Sequence, residues 1–134
     1  MISFSPLPIR IIAGISFILH GLPKLQDLGR TQGFFTQIGL PPELAIVIGL
    51  LEVIGGIALL LGVLTRVAAT LLAIDMVGAI LLVKISEGYV GGAELELLLF
   101  AICISLLISG PGRLSIEKDI LKREIFYSGK PKKT

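Results

Sequence analysis

The sequence predicts an all-α integral membrane protein, a bundle of four transmembrane helices with a short amphipathic helix after it. Composition comes first: of 134 residues, 54% are hydrophobic and 16% charged, and the mean hydropathy is +0.93. A soluble domain this small has a high surface-to-volume ratio and needs more polar surface than that. Segmentation comes second, since four apolar runs are each long enough to cross about 30 Å of hydrocarbon. Glycine placement comes third, because small residues recur at helical spacing, as close helix packing in lipid requires.

The first span runs from about Pro8 to Leu28 and begins RIIAGISFILHGLPKL at Arg10. A cleaved signal peptide is the competing reading. One Arg ahead of the run, no A-x-A site and the interruption at His20 favour an uncleaved span. The second span, Leu44 to Leu64, is strongly apolar despite Glu52. The third runs from about Val67 to Ser86 and contains Asp75; the fourth, ELELLLFAICISLLISG, runs from Glu94 to Gly110. Short loops are expected between all four. Residues 1–112 thus form a transmembrane domain, and residues 113–134 a basic tail.

The tail from Arg113 to Thr134 carries seven Lys and Arg against three acidic residues. Ile116, Ile120, Leu121 and Ile125 recur at roughly helical spacing after Ser115, a suitable N-cap, with Glu117 and Asp119 in the first turn. Such a helix lies along a membrane surface, where anionic headgroups attract its charge. A basic tail on a hydrophobic body does not suit nucleic acid, which calls for a basic face on a soluble fold. If both termini share one side of the membrane, that side holds nine Lys and Arg, and the other holds Lys24, Arg30 and Lys84. The excess predicts cytoplasmic termini and a multi-pass protein of the cytoplasmic (inner) membrane.

Spacing also assigns inward faces. Arg10, Gly14, Phe17, Gly21 and Lys24 form one stripe; Gly49, Glu52 and Gly56 form another, with Gly55 beside it; Ala68, Leu72, Asp75 and Ala79 form a third. Bundle packing alone explains the glycines. Ionisable groups inside hydrocarbon need partners or water. At about 1.5 Å per residue, Glu52 and Asp75 both fall near mid-bilayer, while His20 and Lys24 lie in the outer half of the first span. Lys24 with Glu52 is the preferred pair. His20 reaches either Glu52 or Glu94, according to helix rotation. Asp75 is neutral, paired with Arg66 through water, or turned to a partner subunit, with Glu52 its one mate at the same depth. Glu96 points roughly opposite Glu94 and is placed at the headgroup level, as is Lys84.

Two readings of His20, Lys24, Glu52 and Glu94 follow. A buried ion pair can fix helix register. Alternatively the cluster handles protons at a quinone site, with His20, Lys24 and Glu52 as contacts, because imidazole titrates near neutrality and an adjacent acid can exchange the proton that accompanies quinone reduction. Cys103 is the sole cysteine, in an apolar run, and reads as a small lipid- or core-facing residue. One cysteine forms no intrachain disulfide, dithiol or cluster, and one histidine cannot supply two axial haem ligands. No metal site, covalently bound cofactor or nucleotide-binding glycine motif is expected.

Taken in order, Arg10, His20-Gly21, Lys24, Glu52-Val53-Ile54-Gly55-Gly56, Leu60, Gly62, Thr65-Arg66 and Ala68-Ala69 resemble the pattern of the DoxX family. Gly92, Glu94-Leu95 and Gly110-Pro111-Gly112-Arg113-Leu114-Ser115 extend the likeness over residues 10 to 117. The chain departs from it at Glu117, where the family often has Asp, and Asp75 lies outside the pattern. The resemblance implies a four-helix membrane protein, often an accessory component; the family takes its name from proteins similar to a subunit of a thiosulfate:quinone oxidoreductase, and some relatives are linked to thiol-redox complexes. The expected role is the membrane subunit of a quinone- or thiol-linked redox complex, with a partner redox subunit or a second copy. A structural or assembly factor is the first alternative and a small transporter or channel subunit the second, the latter disfavoured by the little room for alternating access.

Overall fold

Apolar runs separated by Gly and Pro become helices here because lipid leaves no other way to satisfy the backbone. In the computed structural model, which describes residues 6–111, α1 spans Pro6–Gln26, α2 Leu28–Gln37, α3 Leu44–Leu61, α4 Thr65–Leu82 and α5 Glu94–Ser109. A 3₁₀ turn, Lys84–Glu87, and a π turn, Tyr89–Ala93, lead into α5. Four segments are long and apolar enough to cross a membrane: Pro6–Gln26, Leu44–Leu61, Thr65–Leu82 and Tyr89–Ser109. The tail helix expected after Ser115 lies outside the described residues.

Three boundaries differ from expectation. The first connection is not simply a loop. Asp27 caps α2 by accepting a hydrogen bond from the Arg30 backbone N–H at 3.3 Å, and Phe35 is the one residue of α2 that is buried. The second span ends at Leu61, since Gly62 takes a left-handed conformation with φ 72°. The third ends at Leu82 instead of Ser86, because the chain turns at Val83 and again at Gly88, with φ 84°. Gly88 tolerates that φ because it has no Cβ.

Adjacent spans run antiparallel, and the tightest seam joins α1 to α3. A Cβ on Gly14 would lie 2.7 Å from the Gly56 carbonyl oxygen, and one on Gly56 would lie 2.6 Å from that of Gly14. Backbones can approach so closely only where both residues lack side chains. The core is filled by Ala13 and Phe17 of α1, Leu59 of α3, Ala69, Leu72 and Met76 of α4, and Leu99, Cys103 and Leu106 of α5. Lipid-facing positions carry exposed Ile12, Leu19, Ile54, Ile74 and Leu81. At the end opposite α2, Arg10, only 1% exposed, donates from its guanidinium to the Pro111 carbonyl and ties the first span to the last. Arg66 donates to the Ile108 carbonyl at 3.1 Å.

Candidate functional site

Close packing of α1 on α3 sets the central contact. A Cβ on Gly21 would come within 2.9 Å of the Glu52 Cβ, and one on Gly49 within 3.5 Å of the Lys24 Cβ. The bare backbone at both places lets Lys24 and Glu52 lie across the seam, where the Lys24 ammonium donates to the Glu52 carboxylate. Glu52 is 2% exposed, whereas the Lys24 side chain is 31% exposed. An ion pair so buried needs its remaining polar atoms satisfied.

Asp75 supplies the neighbour. Its carboxyl, on α4, lies level with Glu52, one turn beyond the place where Gly55 packs on the Leu72 side chain, and both Glu52 and Lys24 are near enough to act on it electrostatically. The Asp75 oxygen Oδ2 is buried with no hydrogen-bond partner. Glu52 is thus the neighbour of Asp75 at its own depth, while Arg66, nine residues earlier on α4, donates to the Ile108 carbonyl. Depth along the helix was the available signal, and it pointed to Glu52.

His20 is not part of this cluster. It is exposed and lines a separate cleft of about 400 Å³ at the α2 end, together with Glu94, Glu96, Lys84, Leu95 and Leu98. One turn of α1 thus sends Lys24 inward to Glu52 and His20 toward the start of α5. Glu96 stays at the α2 end, as the third residue of α5, but turns inward. It is buried, 8% exposed, on the stripe that continues through Leu99, Cys103 and Leu106, while Glu94 is half-buried. Lys84 lies 3.9 Å from Glu96 and 3.6 Å from Glu87. The cause is the non-helical backbone at Val90 and Gly91, with Gly92 against the Glu87 carbonyl, where a Cβ would sit 2.8 Å from the oxygen. That fold-back sets the rotation of α5. Nothing in the apolar periodicity encodes it.

The sequence model of the DoxX family matches residues 5–85, which include His20, Lys24, Glu52 and Asp75. The chain belongs to the DoxX family. This DoxX chain is 39% identical over 114 residues to a Bacillus subtilis protein named "Putative oxidoreductase CatD", covering 85% of each. It is also 39% identical to an uncharacterized membrane protein of Mycobacterium tuberculosis, over 86% of this chain and 80% of that one. The inner membrane protein YqjF of Escherichia coli is 31% identical over 85% of this chain and 90% of its own length. No solved structure matches. The DoxX match ends ahead of the last span, so Glu94 and Glu96 lie outside it.

Proposed function

We propose that this DoxX chain is the membrane subunit of a redox complex in the cytoplasmic membrane, and that the cleft at its α2 end receives a quinone headgroup. The carrying observation is the cleft itself: it joins an imidazole from α1 to the carboxyls that open α5, beside the lipid-facing side chains Leu95 and Leu98. The name of the Bacillus subtilis relative supports an oxidoreductase setting.

The residues suit such a group. Ligand sites are concave and mostly apolar, with a few convergent polar groups. Leu95, Leu98, Gly91 and Gly92 supply apolar walls, and the buried Glu96 Oε2 has no hydrogen-bond partner. A bound quinone would supply two-electron, two-proton chemistry, with electrons from a partner subunit. His20 is placed to donate a hydrogen bond to a carbonyl oxygen of such a headgroup and to pass it a proton. Glu94 is the second proton carrier, and Lys84 offsets the carboxylates. The Lys24–Glu52 pair stands apart from the cleft, which favours a second role for it in fixing the register of α1 on α3.

The test is extraction of quinone from the protein purified out of native membrane. Stoichiometric isoprenoid quinone is expected, with loss of most of it in His20→Ala at unchanged thermal stability. Quinone no higher than in a membrane protein of unrelated fold purified alongside would overturn the proposal.

A further inference from the structure

Glu52 and Asp75 meet from different helices in the middle of the membrane: a Cβ on Gly55 of α3 would lie 3.1 Å from the Leu72 side chain of α4, and one turn further along this antiparallel pair Glu52 comes level with Asp75, close enough for the two carboxyls to interact. Ionised carboxylates only accept hydrogen bonds and repel one another, so two of them meeting away from water call for one proton between them. Charge balance leads to the same count. Lys24 contributes one positive charge, and two ionised carboxylates beside it would leave a net negative charge in surroundings that solvate it poorly. One proton makes the cluster neutral. The groups facing Asp75 are Lys24 from α1, Glu52 from α3 and the buried Cys103 thiol from α5. With its Oδ2 unpartnered, Asp75 is not held as a fully solvated carboxylate.

Access to the cluster is one-sided. Toward the α2 end the partly exposed Lys24 side chain leads out from Glu52. Toward the other end, Phe17, Leu59 and Leu72 are fully buried and fill the space between the spans. A proton can therefore enter and leave past Lys24, while those apolar side chains lie between the cluster and the other end.

We propose that Glu52 and Asp75 hold one exchangeable proton between them, loaded from the α2 end past Lys24. This assigns Asp75 a role in proton binding and does not depend on a quinone in the cleft. Binding and release involve a proton alone, with no change of oxidation state.

The full chain in lipid nanodiscs provides the test by infrared spectroscopy. A protonated-carboxyl band that shifts in deuterium oxide is expected at neutral pH, and its loss in both Asp75→Asn and Glu52→Gln. In Lys24→Met a second proton replaces the missing positive charge, so the band should rise about twofold. Absence of the band in the unsubstituted chain, or a band that survives both carboxyl substitutions, would overturn the assignment. A further check needs no variant. In vesicles with uniformly inserted protein, raising the pH on the α2 side should remove the band, while raising it only on the opposite side should leave it; the reverse pattern would sink the proposed access.

Discussion

Lys24 shows how one side chain serves two solvents. Its stem crosses the seam between α1 and α3 while its ammonium neutralises Glu52 and stays partly exposed. If the two charges act as a pair, Lys24→Met and Glu52→Gln each break the contact across the seam, at a loss smaller than the roughly 3 to 5 kcal/mol of a buried charge left alone, because a second proton or the Asp75 carboxylate restores the balance. The double variant should regain much of that loss in chemical unfolding from mixed micelles, since coupling is what a double-mutant cycle measures. Strictly additive losses would mean that the side chains stabilise the bundle independently. The pairing was legible from spacing and depth because both residues project from regular helices. The separation of His20 from Lys24 was not, since residues four apart share a helix face but can meet different neighbours.

Among the elements, α1 and α3 are held by absence of side chains. Gly14 and Gly56 place backbone against backbone, so any Cβ there meets a carbonyl oxygen. Gly56→Leu is therefore expected to lower the melting temperature in detergent far more than Leu50→Ala, because Leu50 is 43% exposed on the lipid-facing side. A larger drop for Leu50→Ala would mean that this face packs against another chain. The glycine faces were readable in the sequence as period alone. The helix α2 was not read, although Asp27 ahead of a run ending in Phe34-Phe35 is a cap signal; ten residues of mixed polarity lack the length that marks a span.

At the scale of the whole molecule, the antiparallel order puts both described ends on one side, with Arg10 joined to Pro111 there and α2 on the other. The Lys and Arg excess predicts that the shared side is cytoplasmic. Gly33 on α2 has open space around its Cα, and Cys103 is buried, so Gly33→Cys introduces a reactive thiol against a quiet background. A membrane-impermeant maleimide should label Gly33→Cys in intact cells. Labelling only after lysis would reverse the topology.

By itself the sequence determined the number of spans, the inward faces of α1 and α3, and the family. Hydropathy, length and small-residue period are properties of a single helix, and each survives whatever its neighbours do. Tertiary structure decided what the sequence left open among the charges: His20 in the cleft with Glu94 and not on Glu52, and Glu96 turned into the bundle. Those choices depend on how each helix is rotated about its axis relative to the next. That rotation is fixed by the glycine seam of α1 on α3 and by the broken backbone ahead of α5, which are contacts between segments distant along the chain or departures from helical geometry.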